Sequence, residues 1–371
     1  MIPPHILIPI HDFNAGGTEN IAFRLAGAWL ARGCQVSLLA GDHAGPMRAR
    51  LPAGAEVAVL DPPLPRSPLS RLQLGAAMAA RARALAPDLV FLPGNFHFIL
   101  AHTLKRALPG VPIVAKISNP LLPPWLARLS GWTGGGLLRR YLSPIDMAVA
   151  MSSGLAADYR ALAPGAPVTT ILDPNLLDSA APPAMRDRRA ITGPVRLLAI
   201  GRLEPQKDMG LALETLAALR RHGPAQLTIL GEGYLRRRLE ALAARLGLGQ
   251  ALTMPGFTPD IVAALDAADL LLITAHYEGG PATAIEALAR AVPVVSTDCS
   301  HFLRDVISDI RLGRLVQERS GAALAAAVLA QLQTEPAPTA LLDGAIDASR
   351  DAASAEAYLT LFGALLASKS V

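Results

Sequence analysis

The sequence predicts an α/β chain of two successive domains, each a parallel sheet wrapped by helices. Three observations carry that prediction. Short apolar runs alternate with amphipathic helical stretches, as strands buried on both faces do with their crossover helices. The alternation breaks once, at DPNLLDSAAPPAMRDRRAITGP (173–194), where proline, alanine and mixed charge replace the pattern, and then restarts. A length of 371 residues is enough for two domains, each with its own core.

HILIPI (5–10) is the first strand, followed by the loop HDFNAGG. Thr18 is placed to cap the next helix, with Ile21, Leu25 and Trp29 on one face and Gly33 as its stop. VSLLA (36–40), VAVL (57–60), DLVFL (88–92), VPIVAKI (111–117) and DMAVAM (146–151) read as further strands, most of them separated by helices. Past the break a second series runs through VRLLAIG (195–201), QLTILG (226–231), ALTMPG (251–256), DLLLIT (269–274) and PVVST (293–297). The Ala-rich stretch 319–333 precedes a helix over 348–367. The organisation expected is a domain over 1–176, a linker over 177–194, a domain over 195–347 and a C-terminal helix over 348–371. Two facing Rossmann-like domains are the architecture this implies.

Composition narrows the function. With 51% hydrophobic and 17% charged residues, disorder is excluded. No apolar stretch reaches the roughly 18–20 residues of a membrane span. MIPPHILIPIHDF lacks the basic start of a signal peptide, so a cytoplasmic protein is expected. Cys34 and Cys299 are then buried thiols rather than a staple, and a structural zinc site is not expected. Net charge is +4, which suits an anionic ligand or membrane surface. Aromatic residues are only 4%, too few for a base-stacking platform, so no nucleic-acid partner is expected.

The chemistry concentrates in the second half. After the strand at 195–200 comes Gly201-Arg202-Leu203-Glu204-Pro205-Gln206-Lys207-Asp208. Glycine there lets a ligand approach the backbone, and Arg202 and Lys207 offer a planar fork and a point charge to one anionic group such as a diphosphate. An ordinary solvated loop is the competing reading. Gly231 and Gly256 end the next two strands, where tight turns also use glycine. Gly231-Glu232-Gly233 falls short of a dinucleotide fingerprint because Arg236 stands where the third glycine belongs. The most informative string is Ala275-His276-Tyr277-Glu278-Gly279-Gly280-Pro281-Ala282-Thr283-Ala284-Ile285-Glu286. Pro281 suits the first position of a helix. A helix start preceded by Gly279 and Gly280 makes a ready anion site. Glu286, more than a turn inside among apolar neighbours, is costly unless it meets donors such as ribose hydroxyls. Glu278 could serve a sugar in the same way. Solvent exposure or capping of a loop is the alternative for Glu286.

These residues, with GRLEPQK upstream, AVPVVST downstream and two glutamates separated by seven residues, resemble the retaining glycosyltransferases of the GT-B fold, family 4. The resemblance implies a nucleotide-sugar donor (UDP- or GDP-linked), no catalytic metal, no other cofactor, and C-terminal helices returning toward the N-terminal domain. It implies that Arg202 and Lys207 bind the donor diphosphate, Glu286 the ribose and Glu278 the donor sugar, with Gly256 and Phe257 flanking the base. In the first half, Gly16 and Gly17 resemble the glycine pair whose N–H groups meet the diphosphate. His97, in Pro93-Gly94-Asn95-Phe96-His97, matches the histidine that contacts the donor sugar, although a satisfied core histidine fits as well. His11 and Asp12 also end a strand, and Ser118-Asn119 departs from the family's histidine-containing turn.

The acceptor expected is a glycan or lipid-linked precursor of cell-surface polysaccharide or lipopolysaccharide. Between Lys116 and Ile145 lie Lys116, Arg128, Arg139, Arg140, Trp125 and Trp132 with no acid. That suits a peripheral contact of 120–142 with anionic inner membrane, or a domain-packing loop. The rival readings are a nucleotide-sugar epimerase or other twin-Rossmann enzyme, and an NAD-type oxidoreductase. The last needs a full G-x-G-x-x-G with a distal acid, which neither half supplies.

Overall fold

The computed structural model describes residues 3–14, 17–67, 69–122, 135–176, 187–258 and 260–368. The chain divides into two units, Met1–Asp178 with Ser349–Val371, and Ser179–Ala348. Both are wholly parallel α/β units.

The first unit holds β1 (His5–Ile10), β2 (Gln35–Ala40), β3 (Glu56–Val59), β4 (Leu89–Leu92), β5 (Ile113–Ile117), β6 (Met147–Ala150) and β7 (Val168–Thr170). Their order in the sheet is β3-β2-β1-β4-β5-β6-β7. The chain therefore builds outward from β1 in one direction and, from β4, in the other, which makes the gap beyond the tips of β1 and β4 a topological switch point. Helices α2 (Ser70–Leu85), α3 (Ala101–Ala107), α4 (Gly135–Leu142) and α5 (Ser153–Leu162) pack on one face through Leu74, Met78, Leu104, Leu142 and Tyr159. On the other face lies α1 (Gly17–Leu30). Trp29 of α1 meets Phe91 of β4 edge-on with ring centroids 5.2 Å apart.

The second unit holds β8 (Val195–Ile200), β9 (Ala225–Leu230), β10 (Leu252–Gly256), β11 (Leu270–Ile273), β12 (Val294–Thr297) and β13 (Gly313–Val316), in the order β10-β9-β8-β11-β12-β13. Its switch point lies beyond β8 and β11. The helices are α6 (Met209–Leu219), α7 (Arg236–Arg245), α8 (Ile261–Ala267), α9 (Ala282–Ala289), α10 (His301–Val306), α11 (Gly321–Leu332) and α12 (Thr339–Ile346). From Asp187 onward the chain is already tied to this unit: the Arg188 guanidinium donates to the carbonyls of Asp269 and of Ala291. The last helix, α13 (Asp351–Ala367), belongs to the first unit, where Tyr358 and Phe362 pack on Trp29 and Asp351 pairs with Arg24 at 2.7 Å.

Four local readings change. α1 begins at Gly17, so Thr18 lies inside the first turn rather than before it, facing Gly94 closely enough that a Cβ there would stand 2.8 Å from the Thr18 methyl. Pro281 is the N-cap of α9, with ψ 105°, and the helix starts one residue later. β7 and β13 are additional strands. Both are sheet edges with part-exposed, weakly apolar sequences, VTT and GRLV, that carry little hydrophobic pattern. Lys116 is no surface cation: it is 2% exposed in β5 and paired with Asp173 at 2.9 Å. Gly16, Trp125, Arg128 and Trp132 lie outside the described residues. Both cysteines are free, Cys34 buried and Cys299 half-buried. Among the described residues no helix is long and apolar enough to cross a membrane.

Candidate functional site

In the second unit, the loops that leave β8 and β11 flank the switch point, and the chain braces them together. The N–H of His276 donates to the carbonyl of Gln206 at 2.8 Å, and the Gln206 amide returns a bond to the carbonyl of Tyr277 at 3.0 Å. Thr274 Oγ1 donates to the carbonyl of Lys207 at 3.0 Å. Across this seam the Lys207 ammonium donates to the Glu278 carboxylate, in an ion pair that joins residues of the two loops directly. Their side chains are 23% and 9% exposed, so the pair lies at the floor of the tips rather than in open solvent.

Arg319, which no local motif marks, anchors the same floor. Its guanidinium donates to the carbonyls of Ala275 (2.7 Å) and Thr274 (3.0 Å) and to Asp208 (2.6 Å). Asp208 holds a left-handed backbone, φ 45°, which Asp tolerates, and its carboxylate accepts from Leu211 N to cap α6. One carboxylate thus starts a helix and, through Arg319, fixes the end of β11. The only hint in the sequence was an Asp directly before a helix.

The glycines have internal reasons. A Cβ at Gly231 would stand 2.0 Å from the Gly201 carbonyl oxygen, and the stem of Lys207 lies 3.2 Å from a Cβ built on Gly201. At Gly256, φ is 95° and a Cβ would meet Glu232 at 2.5 Å. Close packing of the strand tips therefore requires glycine at Gly231, where the clash is with backbone, whereas at Gly256 the positive φ is the reason and at Gly201 a Cβ would press only on the movable Lys207 stem. Phe257 beside Gly256 is 73% exposed.

Of the remaining candidates, Arg202 is turned to its neighbour Glu204 at 2.8 Å and is 66% exposed, so its guanidinium is not part of the Lys207–Glu278 contact. Gly279 is buried and its carbonyl accepts from Ser300 Oγ at 3.0 Å; Gly280 and Pro281 lead from it into α9. Glu286 lies in the second turn of α9, half-buried, with Oε2 closed off from solvent. The positive end of the α9 dipole opens at the tip of β11.

The first unit gathers a second set of polar groups at the tips of β1 and β4. His97, in the 3-10 turn Asn95–Leu100, is 6% exposed. Burial holds its imidazole down at about 4, opposed by the Gly94 carbonyl and reinforced by Arg66, His11 and Arg71, so it is neutral at physiological pH. His11 Nε2 is engaged with the carbonyl of Leu64 at 3.2 Å. Asp12 is gripped by Arg66 through both carboxylate oxygens, and Arg66 also lies 3.5 Å from Glu19. Burial would push the Asp12 carboxyl up, but the bonds from Arg66 and Asn14 hold it below the usual carboxylate range; in Glu19 burial prevails and the carboxyl is raised. Arg66 and Glu19 had no motif to reveal them. Arg66 reaches Asp12 from the Pro-rich segment after β3, a contact that local pattern cannot show. Asn95 clamps the turn after β5, donating to the carbonyl of Asn119 at 2.7 Å and accepting from Ser118 N at 2.8 Å. Gly17 opens α1 at these tips. Among the described residues, no group of three or more His, Cys, Asp or Glu side chains is arranged to hold a metal ion.

Residues 183–346 match the family described as Glycosyl transferases group 1, and residues 15–173 match Glycosyltransferase Family 4. Glycogen synthase of Mycobacterium tuberculosis is 30% identical over 275 residues, covering 69% of this chain and 65% of its own length. The amylovoran biosynthesis glycosyltransferase AmsK of Erwinia amylovora is 33% identical over 157 residues, 40% of this chain and 38% of its own. The matches thus span less than two thirds of these relatives' lengths. The Anabaena Alr3699/HepE protein, solved in complex with UDP and glucose, shares the fold with a TM-score of 0.71 at 17% identity, covering 98% of each chain.

Proposed function

The chain belongs to the glycosyltransferases of group 1, family 4 type, and has their GT-B fold, and from that premise we propose that it moves a hexose from a nucleoside-diphosphate sugar to a glycan or lipid-linked acceptor. The setting proposed is cytoplasmic synthesis of cell-surface polysaccharide or lipopolysaccharide. The observation that carries this reading is the Lys207–Glu278 pair across the braced loops of β8 and β11. It stands at a switch point, where open α/β sheets bind ligands, beside the positive end of α9.

In this reading the diphosphate lies against Lys207 and the α9 N-terminus, and Arg202, exposed on its loop, exchanges Glu204 for a phosphate oxygen. Glu286 accepts from the ribose hydroxyls, and the exposed Phe257 flanks the base. The free oxygen of Glu278 takes a donor-sugar hydroxyl while Lys207 holds the other, so the ion pair sets both groups at fixed places before the donor arrives. As the bond from the anomeric carbon to the phosphate oxygen breaks, negative charge grows on the leaving diphosphate. Lys207, Arg202 and the helix dipole stabilise it, a role that metal ions fill in other enzymes. The acceptor oxygen then bonds to the anomeric carbon on the face the diphosphate leaves, and its proton passes to the departing phosphate oxygen. Retention follows from that geometry. His97, neutral in its burial, is suited to hydrogen-bond a sugar hydroxyl and not to carry charge. UDP is the first nucleotide to try, since the Anabaena protein of the same fold was solved with it.

A screen of UDP- and GDP-hexoses against glycan and lipid-linked acceptors tests the proposal, with the product's anomeric configuration read by NMR. The outcome expected is an α-linked product from an α-linked donor, formed equally well with EDTA present. Failure of every donor, or a β-linked product from an α-linked donor, would overturn the proposal.

A further inference from the structure

Three polar contacts at the strand tips of the second unit come from a side chain that lies on neither the loop after β8 nor the loop after β11. Arg319 stands in the turn between β13 and α11, directly before Ser320, whose hydroxyl caps α11 by accepting from Ala323 N at 3.1 Å. The start of α11 is seated on the backbone of α6: a Cβ at Gly321 would stand 2.6 Å from the carbonyl carbon of Glu214. The base of the Arg319 side chain is therefore fixed by packing of α11 on α6, independently of the loops that its guanidinium reaches.

From that base the guanidinium spans two elements. Nη1 donates to the Ala275 carbonyl, and Nη2 donates to the Thr274 carbonyl and to Asp208. The Ala275 carbonyl also accepts from Thr297 Oγ1 at 2.7 Å, which ties the same point to β12. Asp208 follows Lys207 immediately, and Ala275 stands three residues before Glu278. Asp208 keeps φ at 45°, a conformation that a non-glycine residue holds only where its surroundings fix it. Leu211 N fixes one carboxylate oxygen. The other faces Arg319 at 2.6 Å and the exposed His276 ring at 3.4 Å. The Arg319 contact is the short, charge-assisted one.

We infer that Arg319 is a positioning residue for glycosyl transfer: by bonding Asp208 to the end of β11, it sets where Lys207 and Glu278 stand before a donor binds. This rests on the transfer reaction proposed above. The three bonds of the guanidinium go to residues 208, 274 and 275, so Arg319 acts on the ion pair through the backbone. With the fork in place, the turn Pro205–Lys207 and the tip of β11 move as one piece. A shift of either would part the ammonium from the place where charge grows on the leaving diphosphate. Donor binding itself is shared with the α9 N-terminus and Arg202, so the loss falls on turnover more than on affinity. Lysine cannot substitute, because a point charge on a flexible stem has no planar fork to hold two carbonyls and a carboxylate in fixed directions.

Two measurements on the full chain test this. Amide hydrogen exchange read by mass spectrometry needs no substrate. In Arg319→Met, peptides covering 205–211 and 273–278 should exchange at least about fivefold faster, while the central strand β9 is unchanged. Steady-state kinetics with the hexose donor found by the screen should show kcat lowered by about tenfold or more and donor KM changed by less than about threefold. Asp208→Asn keeps the left-handed backbone and the cap and should lower kcat in the same way. Arg319→Met/Asp208→Asn should be no worse than the poorer single variant, because both changes break one contact. Should Arg319→Met lose the fold in a thermal melt, Arg319→Lys takes its place with the same expectations. The two failures are distinct. A parent inert with every hexose donor defeats the transfer reading itself. With an active parent, unchanged exchange in a folded variant, kcat within about twofold of the parent, a loss confined to KM, or fully additive losses in the double variant would overturn the positioning role.

Discussion

Removing the Lys207 ammonium takes away two things at once: a cation for the leaving diphosphate and the partner of the buried Glu278 carboxylate. Lys207→Met should therefore cost about 2–4 kcal/mol of transition-state stabilisation, and it should also lower stability because Glu278 is left without its cation. The double variant Lys207→Met/Glu278→Gln separates the effects. Its urea midpoint should recover toward that of the parent while turnover stays low; recovery of both would make the pair a structural feature only. His97 makes a different prediction. Its folded pKa of about 4 lies below the roughly 6.5 of an unfolded histidine, so the unfolded chain takes up the proton first as pH falls. Stability from this group is complete above pH 6.5 and declines toward pH 4, by roughly 3 kcal/mol in all at about 1.4 kcal/mol per pH unit. In urea titrations at both ends of that window, His97→Asn should lose less stability on acidification than the parent does. An equal loss in the two proteins would mean the imidazole is not held neutral.

At the scale of elements, what could be read in advance depended on how local the cause was. The strand–loop–helix runs at 195–208 and 269–286 were legible because an apolar strand, its terminal glycines and Pro281 follow one another within a few residues. Edge strands β7 and β13 were not, since a three- or four-residue edge with part-exposed side chains has almost no period to detect. The brace from Arg319 to the end of β11 and the start of α6 was equally invisible, because it joins residues more than 40 positions apart, through two backbone carbonyls and the Asp208 carboxylate. The start of α1 moved for a related reason: Thr18 packs toward Gly94, and that tertiary contact replaces its expected role as a cap. The Tyr358 ring packs edge-on against Trp29 and Phe91, and its buried hydroxyl finds no hydrogen-bond partner among the described residues. Tyr358→Phe keeps the ring packing and removes an unsatisfied group, so it should raise stability by about 1 kcal/mol. A clear fall in the thermal midpoint would show that the hydroxyl is satisfied after all.

For the molecule as a whole, two parallel sheets with the same reversal of strand order each place polar residues beyond their switch points, but the two sets differ in character. The second unit presents a lysine, two glutamates and a helix N-terminus, which suits a diphosphate carrying a sugar. The first presents a neutral histidine beside an arginine already committed to Asp12. Exposed arginines lie on its helices α2–α4. The general architecture followed from alternation alone, whereas the first unit's polar cluster did not, because Arg66 approaches Asp12 and Glu19 from a loop with no motif of its own. The proposed transfer requires a nucleoside diphosphate to bind at Lys207 and Glu286. Calorimetric titration of the full chain with UDP and GDP, repeated on Lys207→Met and Glu286→Gln, measures this directly. The parent should bind one of the two nucleotides, with at least about a tenfold weakening in each variant, equivalent to about 1.4 kcal/mol; affinity unchanged in both variants, or no binding of either nucleotide, would rule out a diphosphate site at these residues.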